Sequence, residues 1–101
     1  MTLVKQIQHA SQSVQDFRTT QDVLIHAMTE LGELALEVQI DQGKSYKTAG
    51  PDGIVGEALD VIACMVDMVY VHSPLLTEHD LINMLQPKLV KWQTLSARGG
   101  V

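Results

Sequence analysis

From Leu24 to Val38 the apolar residues fall at helical intervals: Leu24, Ala27, Met28, Leu31, Leu34, Ala35 and Val38. At about 100° per residue they share one broad face. Glu30, Glu33 and Glu37 border that face instead of opposing it. A fold that buries this stripe must bring like charges to the rim of its own core.

The same period recurs along the chain. Leu3, Ile7, Ala10, Val14 and Phe17 alternate gaps of four and three, which predicts a first helix over about Thr2–Phe17. Thr19 or Thr20 caps a second helix that runs to about Gln42 and stops at Gly43. The segment from Gly43 to Gly53, GKSYKTAGPDG, reads as a loop. Asp52 or a neighbour opens a third helix over about Ile54–Val71, with Ala58, Val61, Ile62, Met65 and Val69 on its apolar face. After the turn HSPLL, Thr77 and Asp80 form a capping-box pattern that opens a fourth helix. Pro87 either kinks this helix or starts a short fifth one, and the final ARGGV reads as a frayed tail. Strand alternation and long repeats are missing from the pattern. The expected fold is all-α: one domain over residues 1–101, a four-helix bundle with the option of a short fifth helix.

With 101 residues, 46% hydrophobic and 4% aromatic, the core must be built from Leu, Val, Ile, Met and Ala. The net charge of −5 argues against a nucleic-acid polymer as partner. Cys64 is the single cysteine, which excludes an intrachain disulfide and suits a small buried hydrophobe. The N-terminal stretch MTLVKQIQHA lacks the apolar segment of a secretory leader. The apolar run Val61–Val71 is broken by Asp67 and is too short to span a bilayer. A soluble, cytoplasmic protein without a membrane partner is expected.

On the third helix Glu57 and Asp60 repeat the spacing of Glu30 and Glu33. Antiparallel packing of the two apolar faces would bring all four acids to one edge. Two carboxylates about 5 Å apart repel by roughly 3 kcal/mol at an effective dielectric of about 20. Protonation or a shared cation relieves that cost, and hard oxygen ligands suit Mg²⁺ or Mn²⁺. Acids at helical spacing more commonly form a solvated face, and spacing alone names no reaction. Asp41 and Asp67 are expected to face water and His26 to be a partly exposed helix residue, while Glu37 is left open between site and surface.

The stretch ELGEL beginning at Glu30, followed after a Gly- and Pro-containing loop by EALDVI beginning at Glu57, resembles the E-x-x-E…E-x-x-D signature of MazG-like all-α nucleoside triphosphate pyrophosphohydrolases. The resemblance covers the second and third helices by motif and the others by arrangement. It implies a bundle completed by assembly into a homodimer or homotetramer. It also implies Mg²⁺-dependent cleavage of a nucleoside triphosphate to the monophosphate and pyrophosphate, in the service of nucleotide-pool housecleaning. Carried over, Glu30, Glu33, Glu57 and Asp60 are the metal ligands, and Glu30 or Glu33 accepts the proton of the attacking water. Arg18, Lys88, Lys91 and Trp92 are the candidate substrate contacts, with Lys44 and Lys47 of the loop as further phosphate candidates. The chain departs from the pattern at Thr29, where many members carry a second Glu, and at its C-terminal end, where Trp92 stands in place of Asn and an Arg-Tyr-Pro triplet is missing. Phosphoribosyl-ATP pyrophosphohydrolase uses the same acid logic and is the alternative enzyme. A helical dimerisation module without catalysis is the alternative outside enzymes.

Overall fold

The structure, a computed structural model, describes residues 1–14 and 16–97. Four helices follow in order: α1 (Leu3–Ser13), α2 (Thr20–Asp41), α3 (Gly53–His72) and α4 (Glu78–Ala97). No strand occurs among the described residues. The C-terminal segment beyond Ala97, expected to fray, lies outside them.

Each start has a local cause. The Thr2 hydroxyl accepts from the Lys5 amide at 3.1 Å and opens α1. Thr19, not Thr20, caps α2: its hydroxyl accepts from the Asp22 amide at 3.1 Å while Asp22 accepts from the Thr19 amide at 2.9 Å. Thr77 and Asp80 repeat this reciprocal pair ahead of α4 at 2.9 and 3.1 Å. Gly43, at φ +71°, ends α2. The Lys44 amide donates back to the Gln39 carbonyl and the Gly43 amide to Ile40, which satisfies carbonyls the helix would otherwise leave open.

Two expectations are refined. α1 stops at Ser13 and does not reach Phe17, because Val14 turns extended. The Ser13 hydroxyl takes the Ala10 carbonyl at 2.8 Å and the Arg18 guanidinium takes the Ser11 carbonyl at 3.2 Å. With its last turn closed by side chains, the helix ends four residues early, and Phe17 stands 93% exposed. In α4, Pro87 sits inside one continuous helix, and no fifth helix begins there.

Packing is carried by α2 on α3 and by α1 on α3; α4 makes no comparable contact. Arg18, just before α2, meets Asp67 late in α3, while Glu37, late in α2, meets Gly50 just before α3. The two long helices therefore run antiparallel. Val23, Ala27, Cys64 and Tyr70 are the buried apolar residues among those described. Much of the predicted α2 face stays open: Leu24, Met28 and Leu31 are 49%, 64% and 55% exposed. The radius of gyration is 16.1 Å, against about 13 Å for a compact chain of this length.

Candidate metal centre

Glu30 and Glu33 lie one turn apart on α2, and Glu57 lies in the second turn of α3 across the interface. Antiparallel packing converts that sequence distance into contact: one carboxylate oxygen from each of the three lies within 4.8 Å of the others. Glu30 and Glu57 are half-buried and Glu33 is exposed. Asp60, one turn after Glu57, is exposed and stands outside this trio. Its charge still reaches the centre, since it helps raise the carboxyl pKa of both Glu30 and Glu57.

For Glu30 the main cause of the upward shift is burial, followed by the charges of Glu33 and Asp60. For Glu57 burial again leads, followed by Glu33, Asp60 and Glu30. Oε2 of Glu30 and Oε2 of Glu57 are enclosed without a hydrogen-bond partner among the described residues. An enclosed carboxylate oxygen with no donor is costly and calls for a proton or a cation. The donor set, all carboxylate oxygen from two facing helices, fits a hard divalent ion such as Mg²⁺.

Neighbouring residues divide into several roles. His26, exposed as expected, also places Nε2 3.4 Å from Oε1 of Glu30, one turn away on α2. Cys64 is buried, and enclosure first, then the charges of Glu30, Asp67 and Asp60, pushes its thiol pKa up. It is a packing residue with little thiolate character. Asp41 is exposed at the end of α2, as its position predicts.

Asp67 does not face open water. Its carboxylate is held by the Arg18 guanidinium and by the Ser11 hydroxyl. These partners come from α1 and the α1–α2 connection, which periodicity within α3 cannot reveal. The pairing also commits Arg18, whose fork faces Asp67. Lys88, Lys91 and Trp92 are exposed on α4, with Trp92 62% exposed, and no described contact joins them to the acids. Lys44 and Lys47 are exposed in the α2–α3 loop.

Beside the acids, between α1, α2 and α3, lies a cavity of about 270 Å³. Ile7, Val14 and Cys64 give it apolar walls, while His26, Arg18 and Asp67 give it a polar side. His26 links it to Glu30. A second, apolar groove of about 190 Å³ runs between α2 and α3, lined by Leu24, Ala27, Met28, Leu31, Val61 and Met65. No helix among the described residues is long and apolar enough to cross a membrane.

Sequence reasoning missed the partner of Glu37. This carboxylate is 8% exposed and accepts a hydrogen bond from the Gly50 amide at 2.7 Å. Its place on the acidic stripe was visible; its loop partner was not.

Comparison with known protein families, curated proteins and solved structures found no match.

Proposed function

We propose that this chain is a Mg²⁺-dependent nucleoside triphosphate pyrophosphohydrolase of the MazG-like kind, yielding a nucleoside monophosphate and pyrophosphate. The observation that carries the reading is the meeting of Glu30, Glu33 and Glu57 across two helices, with two oxygen atoms enclosed and unpartnered. Burial of that arrangement is unfavourable for the apoprotein, and a divalent cation removes the penalty.

In this reading Glu30, Glu33 and Glu57 would hold the ion, and Asp60, one turn on at the border of the trio, would add its charge. The chemistry it supplies when bound is charge neutralisation on the triphosphate and a more acidic bound water. Glu30, enclosed and with its carboxyl pKa held above the ordinary value, would serve as the proton acceptor at a carboxylate oxygen. His26, beside Oε1, orients the Glu30 carboxylate. The cavity beyond His26 has room for the nucleoside portion, with Arg18 and Asp67 in its wall. A chain of net charge −5 needs the cation to approach a polyanionic substrate at all. Lys88, Lys91 and Trp92 reach substrate in this reading through assembly with a second copy, which also covers the open apolar face.

A panel of nucleoside triphosphates scored for pyrophosphate release with Mg²⁺ tests the activity, with phosphoribosyl-ATP included to separate the related enzyme. Glu33→Gln and Asp60→Asn are each expected to lower turnover by about 100-fold, the scale of losing one preorganised charge-stabilising group. A folded double variant with undiminished turnover would sink the reading.

A further inference from the structure

The acidic stripe of α2 divides its labour. Glu30 and Glu33 turn to the metal centre, but Glu37, one turn beyond Glu33, is buried and binds backbone. Its Oε1 accepts from the Gly50 amide at 2.7 Å. The approach is close enough that a Cβ on Gly50 would lie 2.7 Å from that same oxygen.

The tie matters because little else fixes where α3 begins. Asp52 occupies the N-cap position of α3 but makes no side-chain cap hydrogen bond. Lys47 donates only within the loop, to the Ser45 hydroxyl. Among the described residues, the Glu37–Gly50 bond is the one hydrogen bond that fastens residues 45–52 to α2. Gly53, at φ +61°, then turns the chain into the helix, and Glu57 follows one turn later. A loop loosened at Gly50 would let the first turns of α3 slide along α2 and carry Glu57 away from Glu33.

We infer that Glu37 is a positioning residue that pins the α2–α3 loop through Gly50 and so sets Glu57 opposite Glu33 in the metal centre. The inference rests on the metal reading above for its functional consequence, and on the loop geometry for its physical content. The bond needs an oxygen acceptor and does not need a charge. Glutamine can therefore replace Glu37, whereas alanine cannot, and Gly50→Ala forces the Glu37 oxygen to shift from its present contact while keeping the carboxylate.

The test is amide hydrogen exchange at Gly50 together with Mn²⁺ titration, on the full chain. In Glu37→Ala and Gly50→Ala, exchange of the amide at position 50 should rise by about tenfold, which about 1.4 kcal/mol of lost bonding would give. Mn²⁺ affinity in both should fall by about tenfold or more, as when a metal ligand loses its outer support. Glu37→Gln should restore both to near wild type, a rescue that a general loss of packing would not produce. Unchanged Gly50 exchange in Glu37→Ala overturns the inference, as does a Glu37→Ala variant with loosened Gly50 and undiminished Mn²⁺ affinity. Should the wild type bind no Mn²⁺, the metal reading fails separately. The amide chemical shifts of residues 54–60 then decide the positioning claim: movement in Glu37→Ala but not in Glu37→Gln supports it, and no movement overturns it.

Discussion

Arg18 grips Asp67 from two directions: Nε donates to Oδ2 at 3.0 Å, and a terminal guanidinium nitrogen donates to Oδ1. The same terminal nitrogen reaches the Ser11 carbonyl, so one side chain joins the end of α1, the entry to α2 and the second half of α3. The two side chains are 21% and 22% exposed, shielded enough for the pair to count. Arg18→Ala leaves a half-buried carboxylate without its main partner and should cost about 1–3 kcal/mol in chemical denaturation. Lysine cannot reproduce the fork and should recover only part of that loss.

This pair also sets an acid limit. The Arg18 hydrogen bond, aided by Ser11, holds the Asp67 carboxyl below its ordinary value of 3.8. A depressed folded pKa adds stability that is fully present above the ordinary value and lost as pH falls through the folded one. Unfolding free energy should therefore drop below pH 3.8 in the wild type. In Asp67→Asn that part of the acid decline should disappear, with lower stability at neutral pH. An unchanged acid limb in the variant would contradict the pairing.

Where Glu30, Glu33 and Glu57 meet, the sign reverses. Glu30 and Glu57 are held above their ordinary 4.5 by burial and by neighbouring carboxylates. A raised folded pKa on an acid adds stability present below the ordinary value and lost as pH rises through the folded one. Without divalent ions, the melting temperature should fall as pH rises from 4.5 towards neutrality. On the proposed metal reading, saturating Mg²⁺ should flatten or invert this slope, because a cation favours the deprotonated acids. A metal-free slope of the opposite sign would mean that the carboxylates do not face one another in solution.

Glu57→Gln should act in two opposite ways. Removing one of three crowded charges should stabilise the metal-free protein, yet on the proposed reading it deletes a ligand. At a Mg²⁺ concentration a hundredfold above Kd, the wild type should gain about 2.7 kcal/mol, and the variant should gain little. Thermal melts of both proteins with and without Mg²⁺ check this. A variant less stable than wild type without metal, yet equally stabilised by it, would place the ion elsewhere.

The legible part of this architecture is the part encoded over short range. Thr77 with Asp80 announces a helix start within four residues and forms the reciprocal bonds expected, and Thr19, one of two cap candidates for α2, forms the same pair of bonds with Asp22. The meeting of Glu30, Glu33 and Glu57 was readable because helical spacing and antiparallel packing together determine it. Asp60 shows the limit: the same spacing leaves it exposed at the border of the trio. Asp67 was misplaced in solvent because its partners sit 49 and 56 positions away, outside any periodicity. The early end of α1 has the same origin, since Arg18 closes it from beyond the turn. Periodicity also showed that Leu24, Met28 and Leu31 share a face, but not whether this chain covers that face itself.

That uncovered face yields the last prediction. Leu24, Met28 and Leu31 line the groove with Val61 and Met65, and each of the first three is about half exposed or more. Burying a side chain of this kind is worth about 1.5–3 kcal/mol. A twofold contact between identical chains would count each residue twice. We propose that the face is covered by a second copy. Sedimentation of the wild type should then show at least a dimer whose stability depends on protein concentration. Paired Met28→Glu and Leu31→Glu substitutions, which put charge into the groove and leave Glu30, Glu33 and Glu57 unsubstituted, should shift the protein to monomer and lower its melting temperature. A wild type that stays monomeric at every concentration and scatters with a radius of gyration near 16.1 Å would show that the chain tolerates its open face alone.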